Sequence, residues 1–161
     1  MTKPIAVACL LFLLSAAASN GASLGHASGS AAFDNHSATI KYGWLVRGPD
    51  EANDGKSILR IYLSSTDIGE KIQACGSLSC VDQSLVNGGF VDFSGASYTN
   101  YWIALDGGHV QFSGGTDATA FALTTKQPNH LAGKVRIDDS SFHGAKLVAE
   151  FDLTLLKTFK R

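Results

Sequence analysis

The residues of this 161-residue chain that could do acid–base, nucleophilic or metal chemistry are five histidines, three cysteines, fourteen carboxylates and an abundance of serines. Their spacing restricts what they can do. His26, His36, His109, His130 and His143 form no H-x-H and no HExxH, the local pairs from which a zinc site is read. No metal is therefore expected, although His109 and His130 could meet across separate strands. Asp50-Glu51 with Asp54, and Asp138-Asp139 with Ser140, are acidic runs without EF-hand spacing. Calcium needs roughly six to eight oxygens, so both read as exposed loops. Gly21-Ala22-Ser23-Leu24-Gly25 matches G-x-S-x-G, but a nucleophile elbow requires a strand before it and a helix after it, and this stretch offers neither. No Ser, His and Asp share a local motif. Glu70 and Glu150 are better explained as a helix-cap residue and an outward strand residue than as a glycosidase pair. There is no P-loop and no G-x-G-x-x-G between a strand and a helix, so no cofactor is expected.

Cys75 and Cys80 stand in Cys-Gly-Ser-Leu-Ser-Cys. Redox-active pairs favour two intervening residues at a helix N-terminus; four intervene here, which points to a structural disulfide. Tyr42, Trp44, Tyr98, Tyr101 and Trp102 could form an aromatic platform for a sugar or a peptide. Aromatic side chains bury large areas and usually serve a core. By strand parity Tyr98 and Trp102 share one face, Tyr101 and Ile103 the other. Trp102 is expected in the core, which leaves Tyr101, Asp106 and His109 as the candidate binding surface.

The elements that must position these residues are strands. Two aromatic and β-branched runs flank Asp106-Gly107-Gly108 across residues 98–112, and Asp-Gly accepts the positive φ of a tight hairpin turn. Residues 38–46, 58–63, 90–93, 118–125, 131–137 and 147–155 alternate or carry strand-forming side chains between turn signals. Leu147, Ala149, Phe151, Leu153 and Leu155 form the cleanest apolar face. Residues 67–74 are the one helical candidate: Asp67 can cap and Ile68 and Ile72 are spaced i, i+4. The expectation is an all-β antiparallel β-sandwich, Ig-like in broad architecture, of seven or eight strands with one short helix near 67–74. Seventeen glycines suit its many turns.

Residues 1–18 carry Lys3, a short apolar run and Ala16-Ala17-Ala18, the pattern of a signal peptide. The run is shorter than the about 20 residues of a membrane span. Residues 19–36 read as a flexible Gly/Ala/Ser-rich leader, with a sequon at Asn35-His36-Ser37, and residues 37–161 as a single domain. Without Lys3, 12 basic residues face 14 acidic ones, which favours neither nucleic acid nor an anionic membrane.

Val46-Arg47-Gly48-Pro49-Asp50, Asp67-Ile68 ahead of Cys75 and Cys80, Tyr101-Trp102 with Gly107-Gly108, Leu131-Ala132-Gly133, and Phe151-Asp152 ahead of Leu155-Leu156-Lys157 together resemble a set of small, exported, uncharacterised bacterial β-rich proteins. The resemblance implies a periplasmic or extracellular setting and carries no activity. The residues favour a non-catalytic binding or structural domain for an unknown protein or carbohydrate ligand. A hydrolase assembled from separate loops, or an inhibitor or immunity protein for an exported enzyme, are the alternatives.

Overall fold

The computed structural model describes residues 25–50, 55–93, 99–114 and 120–160. Residues 1–24, with the expected signal peptide, lie outside these, as do Tyr98, Glu51 and Asp54. The period-2 stretches are strands, ten of them among the described residues: β1 (Gly25–Phe33), β2 (His36–Ile40), β3 (Tyr42–Pro49), β4 (Ser57–Ser64), β5 (Gly88–Phe93), β6 (Thr99–Leu105), β7 (Gly108–Gly114), β8 (Phe121–Gln127), β9 (His130–Asp138) and β10 (Lys146–Thr158). Two short helices, α1 (Gly69–Ala74) and α2 (Leu78–Asp82), separate β4 from β5. The chain is all-β, with more strands than the seven or eight expected and a second helix. No helix among the described residues is long and apolar enough to cross a membrane.

The strands hydrogen-bond in the order β2-β1-β10-β3-β4-β5-β6-β7, with β9 also paired to β10 and β8 to β9. β10 makes this branching possible. Its first eight residues lie between β9 and β1, both antiparallel. From Leu155 its end pairs with β3, in parallel, with a register shift between Leu155 and Lys157. One arm is therefore β8-β9-β10-β1-β2 and the other runs from the end of β10 through β3 to β7. The parallel pair departs from the purely antiparallel expectation.

Both arms contribute to one core. Leu131, Val135 and Ile137 of β9 and Leu147, Ala149, Phe151 and Leu153 of β10 cluster with Leu45, Ile61, Leu63, Val91, Tyr101 and Ile103 of the other arm. The opposite face of β3 to β6 buries a second cluster. Trp44, Val46, Tyr62, Phe90 and Ala104 pack there with Ile68, Ile72, Leu78, Val81 and Leu85 from the helical region.

The leader expected to be flexible is, from Gly25 to Phe33, a strand inside the first arm. Its alternation was hidden because the inward positions are small: Ala27 and Ala31 are fully buried. Small side chains let the arms approach closely. A Cβ added at Gly43 would come within 2.6 Å of the Ala27 Cβ. The expected single strand 38–46 is two, divided at Lys41. Ile40 enters the shared core, while Trp44 and Val46 enter the second cluster. α1 starts where Asp67 allows: the Gly69 N–H donates to Asp67 Oδ1 at 2.8 Å, satisfying a first-turn donor.

Leu147→Asp places an unpaired charge at a fully buried position of the shared core. The expected loss is more than about 3 kcal/mol, a large fraction of a domain's stability. Thermal melting of the purified variant measures it, and an unchanged melting temperature would contradict this packing.

Candidate functional site

The hairpin of β6 and β7 turns at Asp106 and Gly107, both with positive φ (53° and 81°), as a two-residue primed turn requires. The Asp106 backbone N–H donates to Asn87 Oδ1 at 2.8 Å, and Asp106 Oδ2 lies 2.6 Å from His36 Nδ1. The tip is thus tied to the loop before β5 and to the start of β2. Register sets what the hairpin offers. Tyr101 and Ile103 face the shared core; Trp102 and Ala104 face the helices.

This reverses the expected roles of two neighbours. Tyr101 is 2% exposed and donates its hydroxyl to Asp139 Oδ2 at 2.5 Å, so it is not part of a contact surface. Both faces of β6 are apolar, as the sequence indicated, but the layer behind Tyr101 is a full arm of sheet. The layer over Trp102 is only a pair of short helices, and Trp102 stays half-buried. Asp106 is exposed but engaged by His36. His109 lies beside Trp102, and its Nε2 is 2.9 Å from the Leu85 carbonyl. His130 is bound instead to Asp152, at 2.6 Å, so the two histidines are committed to different partners. The acidic run at Asp138-Asp139 is a hydrogen-bonded turn. Lys146 and Ser140 hold the exposed Asp138 carboxyl down at about 2.

α2 carries the polar side of the site. Ser77 caps it, its hydroxyl accepting from the Cys80 N–H at 3.3 Å. Leu78, Val81 and, beyond the helix, Leu85 are buried, while Ser79, Asp82 and Gln83, spaced i, i+3, i+4, share the other side. The disulfide Cys75–Cys80 fastens α2 to the end of α1. With Phe90, Trp102 and His109 these three polar residues line an open cavity of about 270 Å³. Phe90 and Trp102, paired across β5 and β6, stack with centroids 4.6 Å apart and an interplanar angle of 14°.

A buried ionic cluster supports this wall. Arg60 is 6% and Asp92 8% exposed. Arg60 Nε and Nη2 donate to Asp92 at 2.5 and 2.9 Å; Nη1 donates to both Asp82 oxygens at 2.8 and 2.9 Å. The Tyr62 hydroxyl donates to Asp82 Oδ1 at 2.6 Å. The guanidinium carbon lies 4.6 Å from the Phe90 centroid and 5.2 Å from that of Trp102, within cation–π range. Burial opposes the charge of Arg60, yet the hydrogen bonds to Asp92 and the nearby carboxylates keep it firmly protonated. Burial also lifts the Asp92 carboxyl above its ordinary value, against the pull of Arg60. One guanidinium thus faces two carboxylates, of which Asp82 is the nearer to solvent.

A larger cavity, about 380 Å³, lies over the first arm and includes His26, Thr124, Lys134, Glu150 and Asp152 in its lining. Lys134 pairs with Glu150 and Asp152 with His130, exposed cross-strand pairs of the sort that contribute little. Phe151 is its one aromatic lining residue, and that side chain is 4% exposed within the shared core. Among the described residues no three His, Cys, Asp or Glu side chains converge to hold a metal.

Burial, reinforced by Asp82 against the opposition of Arg60, raises Tyr62 well above its ordinary value, and burial raises Tyr101 in the same direction. The unfolded chain ionises its tyrosines near pH 10, while the folded chain keeps Tyr62 protonated. Stability contributed by Tyr62 is therefore fully present below about pH 10 and falls above it, by at most about 1.4 kcal/mol per pH unit. Denaturant midpoints measured from neutral to alkaline pH should decline more steeply for the wild type than for Tyr62→Phe, and parallel curves would refute the assignment. No family model, curated protein or solved structure matches the chain, so the chemistry of this cavity must speak for itself.

Proposed function

We propose that the chain is an exported, non-catalytic binding domain, and that its site is the cavity between α2 and the β6–β7 hairpin. One observation carries this reading: Trp102, stacked on the buried Phe90, is left partly open beside Ser79, Asp82, Gln83 and His109. An apolar surface with a few fixed polar groups is the usual make-up of a ligand site. The ionic cluster holds Asp82 and both rings in place before any ligand arrives, and such preorganisation favours affinity.

The hydrolase alternative has less support. No hydrogen bond joins Ser79 to His109, although both line the cavity. His109 gives its Nε2–H to a backbone carbonyl, and Asp82 is committed to Arg60 and Tyr62. Neither carboxylate of the cluster is placed as a free base.

Trp44 is 4% exposed and Trp102 half-buried, so ligand-induced changes in tryptophan emission report on Trp102. A small-molecule and glycan library screened by emission should yield ligands that shift the wild type and not Trp102→Phe, and that are recovered unchanged. Recovery of a cleaved product, abolished in Ser79→Ala, would establish the hydrolase instead.

The export reading rests on the signal-peptide pattern of residues 1–18 and gains support from the Cys75–Cys80 disulfide, since such bonds persist in oxidising compartments. Material recovered outside the cytoplasm should carry no alkylatable thiol at Cys75 or Cys80, and Cys75→Ser should cost roughly 2 kcal/mol. Mass spectrometry finding two free thiols in that material would overturn the disulfide, and absence of the chain from every fraction outside the cytoplasm would overturn the export reading.

A further inference from the structure

We infer that the cavity between α2 and the β6–β7 hairpin takes one neutral sugar ring, presented as a free saccharide or as a unit of a glycan. The inference rests on the binding reading above and adds its ligand class.

Three properties converge on it. The first is size. About 270 Å³ falls just short of the roughly 300 Å³ at which pockets for drug-sized ligands begin. One six-membered ring with its substituents suits that space better than an extended peptide. The second is the pairing of surfaces. A pyranose has an apolar C–H face and a belt of hydroxyls. The half-open Trp102 ring, backed by the buried Phe90, matches the face, and the rim matches the belt. Asp82 is acceptor-only. His109 donates Nε2–H to Leu85, so the neutral ring keeps Nδ1 as an acceptor. Gln83 and Ser79 can both donate and accept. A rim weighted towards acceptors suits a ligand whose polar groups are O–H donors.

The third property is charge, which separates a sugar from its competitors. An organic cation would also favour an aromatic wall beside a carboxylate. Here Arg60 already occupies that role, with its guanidinium close to both rings and its Nη1 donating to both Asp82 oxygens. A second cation would have to reach ring faces and a carboxylate that this guanidinium already engages. An anion would meet Asp82 and find no Lys or Arg among the lining residues. A neutral, hydroxylated ring avoids both penalties.

The test is calorimetric titration of the full chain with hexoses, N-acetylhexosamines and short α- and β-linked glucans, alongside tetramethylammonium chloride and inorganic phosphate. Trp102→Ala, Gln83→Ala and, as a control on the first arm, Lys134→Ala are titrated in parallel, with melts to establish that each is folded. At least one saccharide should bind the wild type and Lys134→Ala alike, and its Kd should rise at least about tenfold in Trp102→Ala and in the exposed-site variant Gln83→Ala. Saccharide binding indifferent to both cavity variants would overturn the location. Binding of tetramethylammonium or phosphate that depends on Trp102, with no saccharide bound, would overturn the sugar class and leave the cavity standing as a binding site. No binding by any saccharide, with library ligands still acting through Trp102, would overturn the class in the same way; no ligand acting through Trp102 at all would overturn both readings.

Discussion

A guanidinium taken out of water must be met by acceptors, and Arg60 imposes that requirement on the outer face of β3 to β6. Asp92 meets it from the neighbouring strand, directly opposite in register. Asp82 meets it from α2. Removing one partner of such a buried pair usually costs about 3–5 kcal/mol, because the other charge is left uncompensated. α2 has five residues and cannot hold itself up on helix propensity. It is held by Arg60 and Tyr62 through Asp82, by Leu78 and Val81 in the apolar cluster, and by the disulfide to α1. The polar rim of the cavity is therefore a product of the same contacts that keep the helix on the sheet. Tyr62 shows the coupling from the other side, since its hydroxyl anchors Asp82 while its ring packs on Phe90 at 5.4 Å.

The second constraint is the sharing of β10 between two arms. A strand flanked on both sides for its first eight residues can pair with β3 only by leaving the first arm, and the change of partner falls between Thr154 and Leu155. The arms then converge most closely near this junction, where β1 lies against β3. Ala27 and Gly43 occupy the contact because larger side chains would hold the arms apart. A segment that composition marks as a loose tail is thus central to the packing. Near the end of β10, Lys157 donates to the carbonyls of Ile72, Gln73 and Cys75 at 3.2, 2.7 and 2.5 Å. These satisfy the end of α1, so the last strand also secures the helical cap.

Large side chains made most of the fold legible. β9 and β10 were readable because Leu131, Val135, Ile137, Leu147, Phe151 and Leu153 alternate with charges, and period 2 with strong contrast has one interpretation. The hairpin turn was readable because Asp106-Gly107 supplies positive φ in the only order that suits it. β1 was not, since Gly, Ala and Ser give alternation without contrast. α2 was not, although Ser77 as a cap and Leu78, Val81 and Leu85 at helical spacing were present; the helical reading stopped at Ala74, ahead of the cysteine pair. The site was legible in part. Asp106 lies at the exposed tip and His109 lines the proposed cavity, while Tyr101 is the buried member of its pair and Trp102 the more open one. Strand parity gives two faces and says nothing about which one receives the thicker cover.

That difference in cover explains why a cavity exists here. The inner face of β6 meets a complete arm of sheet, so Tyr101 and Ile103 are sealed. The outer face meets two helices of six and five residues. They reach far enough to bury Phe90 and Ala104 but not Trp102 or His109. The strip they leave open is bordered on one side by the polar side of α2 and floored by rings already held against Arg60. An aromatic surface in that position would ordinarily be a liability to solubility. Flanked by Asp82, Gln83, Ser79 and His109, and confined to a single ring's width, it has instead the size and polarity of a small recognition site.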